Sequence, residues 1–199
     1  ANSIHVMSLA SAFIKQGHEV DIVSQNIGTY HDKIDAKTIK HYYNIKKSKL
    51  LSIHLCYLPA NGFLREFFYF IKVLNLINKK KYGMIYSRNI YISYLLSIIG
   101  YKTNLELHSP PQRLAKFFFE KVIKKNSIKS LIMISRNLQQ YIIKNYKIEN
   151  LVTNVIRDAS DYVRPINLGY LRKKFNIKKN SIGYIGGLFR GRGIDLIIK

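Results

Sequence analysis

The sequence predicts an α/β protein with a doubly wound parallel sheet and helices on both faces of that sheet. Segments with helical spacing alternate along the chain with short apolar segments of strand length, and this alternation is typical of βαβ units. The composition is that of a packed protein, since 47% of the 199 residues are hydrophobic and 22% are charged. The sequence contains no internal repeat that would indicate a solenoid or a propeller.

The elements are predicted from local patterns, taken in chain order. The first helix places its apolar side chains on one face, and Gly17 suits its C-terminal end. Residues 25–49 are polar and predict a long loop that can contain a short strand, whereas Ser135 is well placed to cap the helix that follows it. Strands are expected at 20–24, 51–58, 82–87, 102–107, 131–134, 151–156 and 181–185, and further helices at 64–79, 90–99, 112–125, 136–146, 168–175 and from 194 onwards.

The chain is strongly basic, with 33 Lys and Arg residues against 11 Asp and Glu residues and a net charge of +22. Such an excess favours anionic partners, which include nucleic acid, an acidic membrane surface and phosphorylated small molecules. The lysines are scattered among many Ile, Asn and Tyr residues, so a compositional bias explains the charge better than a nucleic-acid surface does. The aromatic and basic residues of 65–81 allow RNA or membrane contact, but core packing is the simpler explanation.

A single cysteine, Cys56, excludes a disulfide bond within the chain. This fits a reducing compartment, and we expect a cytoplasmic location. The apolar neighbours of Cys56 favour a buried structural thiol over a nucleophile. The most apolar stretch, 63–77, is short for a membrane span and contains charged residues.

Polar side chains follow several of the predicted strands, and they include Arg88, His108 and Ser109. Ligands of open parallel sheets bind at the carboxyl ends of the strands, so these residues suit a phosphorylated or polyhydroxyl ligand. Glu106 and His108 lie two residues apart and therefore point to the same side of their strand. The pair can bind a sugar hydroxyl or a diphosphate, although a lone histidine is more often structural. The other histidines show no metal-binding spacing, so no metal site is predicted.

Residues 186–193 form a glycine-rich segment, Gly-Gly-Leu-Phe-Arg-Gly-Arg-Gly, after a predicted strand. Gly186 and Gly187 would let backbone N–H groups approach a phosphate at the start of the next helix. Arg190 and Arg192 would contact its oxygens through charge-assisted hydrogen bonds. The segment is neither a Walker loop nor a complete dinucleotide fingerprint. An ordinary glycine turn with solvated arginines is the alternative, and these residues alone leave both open.

Six segments carry a family resemblance in their order and spacing. They are residues 4–20, Tyr86-Ser87-Arg88, Glu106-Leu107-His108-Ser109-Pro110-Pro111, Ile132-Met133-Ile134-Ser135, residues 155–161 and residues 183–196. Together they resemble the retaining glycosyltransferases of the glycogen-synthase-like "group 1" family, which have the two-domain GT-B fold. Two positions depart from the family pattern: Ala159 replaces a usual glycine, and Gly187 stands where some members have arginine.

The resemblance implies an enzyme that moves a sugar from a nucleotide-sugar donor to a saccharide or lipid-linked acceptor, in cell-surface polysaccharide or glycolipid synthesis. No cofactor or metal is expected, because Arg192 would neutralise charge on the leaving nucleoside diphosphate. The implied roles are catalytic for His108 and Glu106, donor-phosphate binding for Gly186, Gly187, Arg190 and Arg192, and contact on the acceptor side for Arg88 and Ser109.

The resemblance also implies a domain organisation. Residues 1–164 would form the acceptor-side Rossmann-like domain without its first strand, and residues 165–199 would form a linker and the truncated start of the donor-binding domain. We therefore expect a fragment that does not turn over alone. Peripheral contact with an anionic membrane is an expected partner interaction, and nucleic acid is not. The alternatives are a non-catalytic Rossmann-like module for a phosphorylated ligand and a basic nucleic-acid-binding protein.

Overall fold

A computed structural model describes residues 2–26, 36–43, 45, 49–57, 62–148, 150–157, 167–178 and 181. The chain divides into two compact units, Ala1–Ser160 and Asp161–Lys199. The first unit contains helices α1 (Asn2–Lys15), α2 (Ala36–Tyr42), α3 (Gly62–Lys79), α4 (Ile90–Ile98), α5 (Arg113–Lys124) and α6 (Arg136–Tyr146), with strands β1 (Val20–Asn26), β2 (Leu51–Tyr57), β3 (Tyr86–Ser87), β4 (Thr103–Leu107), β5 (Ile128–Met133) and β6 (Thr153–Val155). In the second unit, helix α7 (Leu168–Lys174) is described.

All strand pairs in the described part of the chain are parallel, which confirms the predicted α/β class. β1 pairs with β2 in a continuous register from Val20 opposite Leu51 to Asn26 opposite Tyr57. The other four strands form a second sheet in the order β3-β4-β5-β6. Since a helix connects each strand to the next in this second sheet, the arrangement is compatible with a Rossmann-like fold.

The core of the first unit lies around β4 and β5. All five residues of β4 are buried, because β3 and β5 flank the strand and helices cover it. Leu105, Leu131 and Phe119 are completely buried in one apolar cluster. Burial of a side chain of this size stabilises the fold by about 1.5–3 kcal/mol. This core fixes the position of the strand ends at which the polar side chains lie.

Two helices of the first unit begin at side-chain caps. The Asn89 side-chain oxygen accepts hydrogen bonds from the N–H groups of Tyr91 and Ile92 at the start of α4. Ser135 accepts a hydrogen bond from the N–H of Leu138 at the start of α6, which confirms the predicted cap. A cap of this kind contributes about 1 kcal/mol and holds the helix start in place.

Three predicted boundaries were wrong. Residues 25–49, predicted as a loop, contain the end of β1 and the whole of α2. The Lys40 Nζ holds α2 to the backbone of β2, because it donates a 2.6 Å hydrogen bond to the Leu51 carbonyl. The predicted strand 82–87 is reduced to Tyr86–Ser87, the pair that aligns with β4. β5 begins at Ile128 rather than at residue 131, because Ile128 pairs with Thr103.

The predicted elements near the end of the chain are not described. Only Ser181 of the predicted strand 181–185 is among the described residues, and the helix predicted from residue 194 lies outside them. Among the helices that are described, none combines the length and the apolar character that a membrane crossing requires.

Candidate functional site

The candidate site lies at the carboxyl ends of β3 and β4. These strands are neighbours, with Tyr86 opposite Asn104 and Ser87 opposite Leu105. Because they are parallel, the residue that follows β3, Arg88, and the residue that follows β4, His108, emerge at the same edge of the sheet. The first turns of α1 add His5 to this edge, since the His5 Nε2 lies 3.4 Å from the Glu106 Oε1.

Glu106 is the centre of the cluster. Its side chain is only 2% exposed, and four other side chains surround its carboxylate. The Tyr86 hydroxyl donates a 2.5 Å hydrogen bond to Oε2. On the other side, Oε1 contacts the His108 Nε2 and lies 3.6 Å from the Arg88 Nε. A buried carboxylate requires such partners, and here they come from three different elements.

The environment keeps Glu106 ionised at neutral pH. Burial raises the pKa of its carboxyl group, because a charge is poorly solvated in the interior. The hydrogen bonds from Tyr86 and His108 and the positive charge of Arg88 act in the opposite direction and outweigh burial, so the pKa of Glu106 lies below its ordinary value. Glu106 therefore acts as a hydrogen-bond acceptor and a fixed negative charge rather than as an acid.

The Nε2 atom of His108 lies between two groups of opposite charge. It contacts the terminal guanidinium nitrogen Nη2 of Arg88 as well as Glu106. If Nε2 carries a proton, it donates to Glu106, and if it carries a lone pair, it accepts from Arg88. The His108 tautomer is therefore linked to the position of Arg88.

Three members of the cluster are accessible. The side chains of His108, Arg88 and His5 are 28%, 20% and 18% exposed. The His5 and His108 rings meet edge to face, with their centroids 5.8 Å apart. An arginine and two histidines at an accessible edge can donate to phosphate or hydroxyl oxygens, whereas the buried Glu106 can act only through them.

Glu66 of α3 supports the same edge. Its Oε1 accepts a 3.0 Å hydrogen bond from the Gln25 amide, and its Oε2 accepts a 2.9 Å hydrogen bond from the Asn89 amide. Gln25 lies at the end of β1, and Asn89 is next to Arg88 and caps α4. Glu66 thus joins the end of β1 to the segment that presents Arg88.

The structure brings together some of the predicted site residues and leaves others untested. Glu106, His108 and Arg88 are in mutual contact, and Ser109 follows them as an exposed residue. The predicted donor-phosphate residues, Gly186, Gly187, Arg190 and Arg192, all lie outside the described residues.

Sequence reasoning missed two members of the cluster and one residue that supports its edge. No histidine spacing in the sequence links His5 to another ligand, but α1 begins at the edge where β4 ends. Tyr86 was noted only as part of a strand end, and Glu66 was not singled out. The signal that would have found His5 is topological: helices that follow strands of a parallel sheet begin at its carboxyl edge.

His5, Glu106 and His108 offer three potential metal-ligand atoms that lie within 4.8 Å of one another. Two histidines and one carboxylate can hold a divalent transition metal. However, the Arg88 guanidinium contacts two of these three residues, and its positive charge opposes that of a metal ion. The expectation that the site needs no metal remains a prediction.

A cavity of about 480 Å³ lies elsewhere in the first unit, between β2 and α3, and its lining includes His54, Cys56, Lys72 and Lys79. No member of the Glu106 cluster lines it. Burial raises the pKa of the Cys56 thiol, which agrees with the interpretation of Cys56 as a structural residue. His54 is part of a separate ion-pair group, in which its Nε2 lies 2.7 Å from the Asp21 carboxylate.

Comparison of the chain with protein-family models gave no match, and comparison with curated proteins gave none either. The function must therefore be inferred from the residues of the site and their geometry.

Proposed function

We propose that this chain is part of a GT-B glycosyltransferase, and that the Glu106 cluster lies on the acceptor side of its catalytic cleft. The substrates would be a nucleotide-sugar and a saccharide or lipid-linked acceptor, in cell-surface polysaccharide or glycolipid synthesis on the cytoplasmic side of a membrane. One observation carries the proposal: an ionised, buried Glu106 holds His108 and Arg88 at the carboxyl edge of a parallel sheet. Ligands of such sheets bind at this edge.

The chemistry of the cluster suits a sugar next to a phosphate. Arg88 supplies a fixed positive charge and a fork of N–H donors, which match phosphate oxygens. His108 can donate to or accept from a sugar hydroxyl, depending on its tautomer. Glu106, which is almost completely buried, positions both side chains. In this proposal His108 contacts substrate, Glu106 is a positioning residue, and Ser109 adds a hydroxyl on the acceptor side.

The donor side of the proposal depends on the glycine-rich segment. Gly186 and Gly187 would admit the diphosphate to the backbone, and Arg190 and Arg192 would stabilise the charge that develops on the leaving nucleoside diphosphate. The bond between the anomeric carbon and the phosphate oxygen would break, a bond from that carbon to the acceptor hydroxyl oxygen would form, and the hydroxyl proton would pass to the leaving diphosphate. Retention of configuration is expected from the family resemblance.

The experiment is a binding and transfer assay with the variants His108→Ala and Arg192→Ala, and with the exposed Glu19→Gln as the matched control. Nucleotide-sugars with different bases are titrated into the full-length protein by calorimetry, and sugar transfer is followed with the same protein. We expect both alanine variants to weaken donor binding or transfer by at least about tenfold, as loss of a charge-assisted hydrogen bond predicts. The control should behave as wild type.

Two results would contradict the proposal. If no nucleotide-sugar binds at millimolar concentration, or if both variants bind and transfer as wild type does, the transferase assignment is wrong. Nucleotide binding without transfer by the full-length protein would favour the non-catalytic module instead.

A further inference from the structure

The first turns of α3 expose an apolar face to solvent. Leu64, Phe67, Phe68 and Ile71 follow the spacing i, i+3, i+4 and i+7, so they lie on one side of the helix. All four side chains are exposed, and Leu64 is 61% exposed. The core face of α3 is a different one, formed by the buried residues Tyr69, Phe70, Val73 and Ile77. The helix therefore has an apolar face beyond the one that its own fold uses.

The start of α5 repeats this pattern. Both helices contain Leu-x-x-Phe-Phe, as Leu64 to Phe68 in α3 and Leu114 to Phe118 in α5. Leu114 is 68% exposed, and Phe117 is also exposed. Phe118 packs against the Tyr91 ring of α4, with a centroid distance of 5.3 Å. The repeated pattern thus places exposed leucine and phenylalanine side chains on two helices that both pack against α4.

Basic side chains accompany both apolar faces. α3 contains three basic residues and one acidic residue, and α5 contains four basic residues and one acidic residue. A lysine follows an exposed phenylalanine by four positions in each helix, as Phe68 with Lys72 and Phe117 with Lys121. The Lys121 Nζ lies 5.3 Å from the Phe117 ring centroid. These positions are neighbours on a helix surface, so positive charge and apolar side chains share one face.

The two helix starts lie at the edge that carries the candidate site. Glu66, in the second turn of α3, is hydrogen-bonded to Asn89, the neighbour of Arg88. α5 begins at Arg113, shortly after His108. A surface that contacted the first turns of α3 and α5 would therefore lie close to the opening of the Glu106 cluster.

We propose that the docking face, defined as Leu64, Phe67, Phe68 and Ile71 of α3 with Leu114 and Phe117 of α5, binds the surface of an anionic lipid bilayer. Apolar and aromatic side chains enter the boundary between headgroups and acyl chains, while Lys and Arg side chains contact anionic headgroups. The net charge of +22 provides the complementary long-range attraction. The inference stands independently of the transferase proposal, because it concerns binding of a bilayer without any sugar.

The test is flotation of the whole chain with vesicles of phosphatidylcholine alone and of phosphatidylcholine with about one-third phosphatidylglycerol. The variant Phe67→Ser/Phe68→Ser removes two exposed rings from the docking face. The matched control, Ile98→Ser/Ile99→Ser, removes two exposed apolar side chains at the C-terminal end of α4, which is not part of the docking face. All four side chains are exposed, so both variants should fold, and circular dichroism checks this.

We expect wild type and the Ile98/Ile99 control to float with anionic vesicles and not with neutral ones. The Phe67/Phe68 variant should bind anionic vesicles at least about tenfold more weakly, because it loses two rings that would enter the bilayer. Equal binding to both kinds of vesicle, or unchanged binding by the Phe67/Phe68 variant, would overturn the inference. A concentration-dependent dimer that the same variant abolishes, without vesicle binding, would also overturn it and assign the face to a second copy of the chain.

Discussion

Replacement of Glu106 by glutamine tests whether one buried negative charge organises the site. The amide has the size of the carboxyl group, so packing is preserved and the Tyr86 hydroxyl can still donate to an oxygen. The charge is lost, and an amide NH₂ can now face the His108 ring and the Arg88 guanidinium. The Arg88 guanidinium and the His108 ring thereby lose the carboxylate acceptor that they share, and the free energy of unfolding should fall.

The size of the effect follows from the burial of the cluster. Breaking a buried charge pair by removal of one partner costs about 3–5 kcal/mol. Arg88 and His108 are 20% and 28% exposed, so they regain part of their hydration when Glu106 is neutralised. We therefore expect Glu106→Gln to lower the free energy of unfolding by about 2–3 kcal/mol. For a chain of this length, that corresponds to a fall in Tm of about 4–12 °C.

The dependence on pH adds a second signature. The pKa of Glu106 in the folded chain lies below its ordinary value of 4.5, so its contribution is fully present above pH 4.5. The contribution is lost as the pH falls from that value through the folded pKa. The difference in stability between wild type and Glu106→Gln should therefore shrink in this acidic range. Asp21, whose pKa is also lowered, is present in both proteins, so its contribution cancels in the comparison.

Urea unfolding followed by circular dichroism measures both effects, since the chain contains no tryptophan for fluorescence. The exposed Glu19→Gln serves as the control, and its stability should match wild type within about 0.5 kcal/mol. The reasoning would be refuted if Glu106→Gln matched this control at neutral pH, or if its deficit did not change between neutral and acidic pH.

Three further predictions concern the support of the site and the core. Tyr86→Phe removes the hydrogen bond to Glu106 and should lower the free energy of unfolding by about 1.5–3 kcal/mol in urea. In a Glu106→Gln background, the same replacement should cost at least about 1 kcal/mol less. If the costs of the two replacements were additive, the contact between Tyr86 and Glu106 would be contradicted. Asn89→Ala should lower the free energy of unfolding by about 1–2 kcal/mol, because the cap of α4 is lost. Asn89→Asp keeps the cap but loses the hydrogen-bond donor to Glu66, so it should also be less stable than wild type. An Asn89→Asp variant as stable as wild type would show that the hydrogen bond to Glu66 is unimportant. Phe119→Ala should cost about 3–5 kcal/mol by thermal unfolding because its side chain is completely buried in the main core, and a cost below about 1 kcal/mol would contradict that burial.

The α/β class and the parallel sheet could be predicted because alternating periodicity is a local property of the sequence. The Ser135 cap was equally local, since one hydroxyl and the next helix turn define it. α2 was missed for the opposite reason: it has only seven residues, lies in a stretch rich in polar residues, and is held by contacts with other segments, such as the bond from Lys40 to the Leu51 carbonyl. A short helix that depends on tertiary contacts leaves little periodicity to detect.

The same distinction applies to the site. Glu106 and His108 were found because residues two apart at the end of a strand share a side, and Arg88 was found because it follows a strand. His5 and Glu66 lie on helices, far from these residues in sequence, and only the folded chain brings them together. No spacing rule links residues that meet through the topology of a sheet.

The central claim, that ligand binds at the Glu106 cluster, is tested most directly by the histidine ring signals in ¹H–¹³C NMR spectra. The chain has 6 histidines, of which His5 and His108 lie in the cluster and His54 lines the separate cavity. Titration with a nucleotide-sugar and a saccharide acceptor should shift the His108 and His5 signals and leave the exposed His18 unchanged. A shift of His54 with no change at His108 would place the ligand in the cavity between β2 and α3 and contradict the account.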